Sequence, residues 1–255
     1  MDRIWVLGRN VFQATFRERV LYITALFAIA LTLAVVLLSE VSAGTENKIT
    51  LDVGIGAISL FGLVVTAFVG SGLINREIDQ RTALVMMAKP ISRAEFIIGK
   101  HLGLAAVLAV LVALMTVIFF ALMSFKGFSY PAGAITIAAI YIILELALLA
   151  AAAILFGVLT SSLIGTLLTL ALYFMGHFSQ NLITLQQRME DGFVKSLINT
   201  IYLVVPDLSR LDLKNDAVYG ILPGSQPLIV NGIYGLVYTA LLLSLATWIF
   251  SRRDF

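Results

Sequence analysis

The chain of 255 residues has no cysteine, so a disulfide scaffold, a zinc–thiolate centre and an iron–sulfur cluster are all excluded. Charge is also scarce. Asp, Glu, Lys and Arg make up 13%, against about 25% in an ordinary soluble domain. Residues of the set AVILMFWYC make up 60% and the mean hydropathy is +1.00. A soluble fold would lack the polar surface to cover so many apolar side chains. A disordered chain needs low hydrophobicity. Histidine occurs twice, at His101 and His177, and no H-E-x-x-H is present. The P-loop pattern G-x-x-x-x-G-K-[ST] and the nucleophile elbow G-x-S-x-G are missing too, so no ATP site of that kind and no catalytic residue or metal site is expected. Nucleic acid is not an expected partner. What remains is an all-α integral membrane protein, with the lipid bilayer as its surroundings.

Six apolar runs are long enough to cross a bilayer: 20–38, 53–74, 101–124, 132–158, 163–179 and 231–250. All five prolines lie outside them, so unbroken helices are expected. The chain reads as one transmembrane domain over 1–255, with an interfacial segment 1–19, a polar connector 75–100 and a segment 180–230 too long for a turn. Basic residues set the orientation. Eleven of the 17 fall on 1–19, 75–100, 159–162 and 251–255, the other six on the opposite side. The denser side is expected to be cytoplasmic, which places both termini there. No cleavable signal is expected, because the N-terminal arginines are spread out and a full-length span follows.

Residues 3–19 place Trp5, Gly8, Phe12 and Phe16 on one helical stripe, with Arg3, Asn10, Gln13 and Arg17 opposite, as in an amphipathic helix lying in the interface. In the connector, Glu77 to Ala88 is good helix material, and Pro90 ends it. Ser92 and Glu95 then have capping-box spacing, which restarts a helix into the third span. Such a short helix, charged at its start and apolar at its end, suits a groove on another protein, or lies as a solvated connector on the membrane surface. Gly99 and Gly103 form a G-x-x-x-G that can seat a close helix contact. Glu145 is the acid deep in a span, a functional candidate or a structural residue facing a neighbouring helix; His177 near the end of the next span is the other polar candidate. The charged stretch Asp207–Ser209–Arg210–Asp212–Lys214 reads as a docking site or as a solvated loop. The small-residue run 147–153 suits tight helix packing or an apolar path.

Residues 75–103 carry a pattern that resembles the type-2 permeases of ABC transporters: Glu77, then Thr82, then Lys89-Pro90-Ile91-Ser92-Arg93, then Glu95 and Gly99-Lys100. The N-terminal helix with Phe16-Arg17-Glu18, the six-span layout and the Arg252-Arg253-Asp254-Phe255 tail are similar to that family as well. Arg81 stands where many members carry glycine, and Asp79-Gln80-Arg81-Thr82 looks more like the permeases of nitrous-oxide-reductase maturation and gliding motility. The resemblance implies a permease subunit of an exporter in a bacterial inner membrane, paired with a second permease copy (identical or paralogous) and two ATP-binding subunits that hold ATP and Mg. This chain would bind no cofactor itself. The helix over 77–88 would be the coupling helix, carrying Thr82, with Glu77, Arg81 and Arg93 at its polar rim, Leu84 and Met87 as apolar contacts, and Pro90 and Ser92 setting the angle to the third span. Segment 180–230 would form the outer gate. Three alternatives remain: the same fold passing ATPase strokes to an extracytoplasmic protein, an intramembrane enzyme built on Glu145 and His177, and a transporter driven by an ion gradient.

Overall fold

Each long apolar run becomes a helix, because a backbone among apolar groups must satisfy its own N–H and C=O groups. The computed structural model describes residues 2–15, 20–41, 46–79, 92–178 and 205–252. Among these residues the helices are α1 (Asp2–Thr15), α2 (Leu21–Val41), α3 (Glu46–Asp79), α4 (Arg93–Phe125), α5 (Ala132–Leu159), α6 (Ser162–His177), α7 (Lys214–Tyr219) and α8 (Ser225–Ser251), with a 3-10 turn at Leu208–Arg210. Among the described residues, four helices are long and apolar enough to cross a membrane: Glu46–Asn75, Arg93–Phe125, Ala132–Leu159 and Ser225–Ser251. Tyr22–Leu37 and Ser162–His177 are shorter apolar helices.

Helix α5 is the hub and packs against α3, α4, α6, α7 and α8. Residues Leu148 to Ile154 on it are completely buried, so the run 147–153 is packed helix interface in this chain. Neighbouring helices alternate in direction. Early α3 meets late α4 at Gly54 and Phe119, and late α3 meets early α4 at Gly70 and Leu104. The bundle therefore has two ends. At one, the Asn47 amide donates to the Ser129 carbonyl and Lys48 lies over the Tyr219 ring. At the other, Arg93 Nη1 donates to the carbonyl oxygens of Phe250 and Ser251, and Phe96 stacks on Phe250.

Small residues allow the closest approaches. A Cβ at Gly103 would lie 2.5 Å from the Gly8 carbonyl oxygen, and one at Gly99 2.8 Å from the Leu7 Cβ, so the G-x-x-x-G of α4 seats α1. The buried face of α1 is accordingly Leu7, Gly8, Val11 and Thr15. Of the apolar stripe, Gly8 is buried against α4, Phe12 is half-buried and Trp5 is 75% exposed. Apolar residues near a bilayer face either protein or lipid, and periodicity does not separate the two.

Helix α3 continues without a break through Glu77 to Asp79, so the expected short helix does not start afresh at Glu77. Apolar residues alone had placed the start of that span at 53, but the helix begins at Glu46, whose acidic side chain suits a helix N-terminus. Helix α4 begins as expected. The Ser92 hydroxyl accepts from the Glu95 N–H at 3.2 Å and the Glu95 carboxylate accepts from the Ser92 N–H at 2.8 Å.

Candidate functional site

The polar candidate within the bundle assembles from four elements. Its centre is Glu145, midway along α5 and 1% exposed. Among the described residues, neither of its carboxylate oxygens accepts a hydrogen bond. His177, the last residue of α6, brings Nε2 to 3.4 Å from Glu145 Oε1. The short turn at 160–161 explains this meeting. Two antiparallel helices joined there place positions equally distant from the turn side by side, and residue 145 then lies level with about residue 176.

The other members come from the segment 205–219. His177 Nε2 also stands 3.5 Å from Asp212 Oδ2. Lys214 Nζ lies 3.3 Å from the same oxygen and donates to the Ser59 hydroxyl of α3 at 3.4 Å. The segment is folded into the bundle, with Leu208, Leu211, Leu213, Ala217 and Val218 buried. It is not the solvated loop that its charges suggest. Local bonds shape it. The Asp207 N–H donates to the Tyr234 hydroxyl at 2.8 Å. Asp207 in turn accepts from the Ser209 hydroxyl and from Arg210 Nε. The Lys214 N–H donates to Asp212 Oδ1 at 3.1 Å, which opens α7. Gly220 closes it with φ +68°, a left-handed conformation that suits glycine.

The electrostatics follow from these neighbours. Burial alone would raise the Asp212 carboxyl, but the nearby His177 ring and the Lys214 charge outweigh it and hold the group down at about 2. Burial likewise would lower the Lys214 ammonium, yet the charges of Glu145 and Asp212 keep it above its ordinary value. Asp212 and Lys214 are therefore a standing ion pair at neutral pH. The His177 ring is fixed on its other side, where Nδ1 lies 3.0 Å from the Tyr173 carbonyl oxygen. A carbonyl oxygen only accepts, so Nδ1 carries a hydrogen.

Of the residues expected to matter, the structure brings Glu145 and His177 together. Asp212, Lys214 and Ser59 were not anticipated beside them. No local pattern links positions 59, 145 and 212, and only the packing of α3, α5 and the 205–219 segment does. Ser92 is the N-cap of α4. Arg93 is engaged within the chain, on the last carbonyls of α8. Glu77 lies in the last turn of α3. Arg81, Thr82, Leu84, Met87 and Pro90 lie outside the described residues. His101 is a packed residue, its Nε2 donating to the Ala147 carbonyl at 3.0 Å. No cluster of three or more His, Cys, Asp or Glu side chains suited to a metal occurs among the described residues.

A bundle of long apolar helices around a buried hub helix, with a cluster of ionisable side chains around the buried Glu145, defines an α-helical integral membrane protein. The particular family follows from the sequence as a whole. A protein-family model described as ABC-2 family transporter protein matches residues 10–255, and the chain belongs to that family. It is a permease, the membrane component of an ABC transporter, and permeases of this family normally work with an ABC ATP-binding subunit. No curated protein matches the chain.

Proposed function

We infer that the chain is the six-span permease subunit of an ATP-driven exporter, and that two copies, or one copy and a paralogue, pair with two ATP-binding subunits. The observation that carries this reading is the family match over nearly the entire chain. The alternating helices support it: α2, α3, α4, α5, α6 and α8 correspond to the six apolar runs. The basic residues favour a cytoplasmic location for both termini, in the inner membrane of a bacterium.

Coupling would enter through residues 77–93, with Glu77, Arg81, Thr82, Leu84 and Met87 meeting the ATP-binding subunit and Pro90 ending the helix. The capping box at Ser92 and Glu95 gives α4 a firm start directly after that stretch. A push on it reaches α8 through Arg93 on the carbonyls of Phe250 and Ser251, and α1 through the glycine seam. Alternating access would follow from differential binding of the two ATPase states. ATP and Mg belong to the partner subunit. The form Asp79-Gln80-Arg81-Thr82 supports a likeness to the nitrous-oxide-reductase maturation and gliding-motility permeases.

The test is purification of the tagged chain from its native membrane in mild detergent. A P-loop ATPase co-eluting at one copy per permease is expected, with Glu77→Ala and Arg81→Ala lowering transport-coupled ATPase while membrane insertion persists. Absence of any ATPase under conditions that preserve such complexes, or normal coupling in both variants, overturns the reading.

A further inference from the structure

The Glu145–His177 pair poses a proton-counting problem. His177 Nδ1 donates to Tyr173 O, so its one remaining nitrogen, Nε2, faces two carboxylates at 3.4 and 3.5 Å. An unprotonated Nε2 would point a lone pair at both of them. Counting charge gives the same result. With Nε2 protonated, or with the proton on Glu145, the cluster of Glu145, His177, Asp212 and Lys214 is neutral. Without that proton it carries a net negative charge, and Glu145 becomes a fully buried carboxylate with no donor among the described residues. Leaving a buried charge uncompensated is strongly unfavourable.

We propose that Glu145 and His177 together bind one exchangeable proton, and that this proton keeps segment 205–219 seated in the bundle. The groups facing the pair are Asp212 and Lys214 from that segment and Tyr173 from α6, whose ring centroid lies 4.3 Å from that of His177. Helix α3 contributes the neutral Ser59 hydroxyl, which holds Lys214. Helices α5 and α6 pack against each other, which keeps Glu145 and His177 together. The Asp212–Lys214 piece joins the cluster through side-chain contacts, against the hold of its buried leucines. Loss of the proton is relieved when this piece lifts and water reaches Glu145. The site is a proton-operated latch, and it does not depend on how the permease couples to ATP.

The absence of native cysteine allows a direct test. A single cysteine at the buried Leu211 (Leu211→Cys) reports whether the segment is seated, and one at the exposed Gln226 (Gln226→Cys) corrects for thiol ionisation. Full-length protein in lipid nanodiscs is labelled with a small thiosulfonate from about pH 6 to about pH 9, the range in which histidine titrates. The labelling ratio of Leu211→Cys to Gln226→Cys is expected to rise with pH, by up to about tenfold per unit once the proton is lost. In a Glu145→Gln background the deprotonated cluster stays neutral, so the ratio is expected to stay low and flat. In a His177→Gln background Glu145 alone can hold the proton, so the rise is expected at a different pH from that of the wild type. A flat wild-type ratio, a rise retained in the Glu145→Gln background, or an unshifted rise in the His177→Gln background overturns the latch. If one variant fails to fold, the other background still decides.

Discussion

The tightest meeting of three helices is the place where one methyl group should do the most damage. Gly157 of α5 lies against Ser71 of α3, and Gly165 of α6 closes on both. A Cβ at Gly157 would sit 2.6 Å from the Ser71 carbonyl oxygen and 3.3 Å from its carbonyl carbon. Carbon contacts relax to about 3.5 Å or more, so α3 and α5 must separate by several tenths of an ångström. The obstacle is backbone and cannot rotate away. Ser71 is also held in a network: its carbonyl accepts from Asn75 at 3.1 Å, and its hydroxyl meets the Ala67 carbonyl and Thr166 Oγ1, each at 2.7 Å. Overpacking of this kind costs about 1–3 kcal/mol, and a strained buried hydrogen bond adds about 1 kcal/mol. Replacing glycine by alanine inside a helix returns about 1 kcal/mol. Gly157→Ala should therefore be destabilised by about 1–3 kcal/mol. Gly56→Ala is the matched control, because a Cβ there meets nothing within 4 Å and only the helix gain remains. The assay is reversible unfolding of both variants in mixed micelles under one set of conditions. Stabilities within about 0.5 kcal/mol of each other would refute the reasoning, since propensity would then outweigh the contact.

Gly103→Val should unseat α1 from α4, because the seam has no room at the Gly8 carbonyl; faster proteolysis within residues 2–15 with the remaining helices intact is the expected readout. Arg93→Ala removes donors from the carbonyls of Phe250 and Ser251 and should cost about 1 kcal/mol, with faster amide exchange in the last turn of α8. Asp212 is held below its ordinary range of 3.8, at about 2, so its stabilisation is complete above about pH 4 and is lost as pH falls through about 2. Asp212→Asn should therefore lose on the order of 2 kcal/mol at neutral pH and little at the acidic limit, read from unfolding midpoints across pH.

Some of this was legible before any packing was known. Apolar runs separated by charged or proline-bearing connectors define membrane helices because the bilayer leaves the backbone no other way to satisfy its polar groups. The pattern from Ser92 to Glu95 is a helix start because two side chains and two backbone N–H groups reciprocate over three residues. The level of His177 beside Glu145 is a consequence of helical rise and a short hairpin turn, so it too lies in the sequence, although only once the turn is placed at 160–161. The tertiary structure decided the rest. Which face of α1 is buried depends on two glycines of α4, 90 or more positions away, and the burial of Asp207–Lys214 depends on a pocket made by α3, α5 and α8. Charged residues in a polar-looking segment read as solvated because their partners, Glu145, His177 and Ser59, are distant in the chain. Hydropathy records the cost of moving a residue out of water; it carries no information about which opposite charge will meet it inside the bundle.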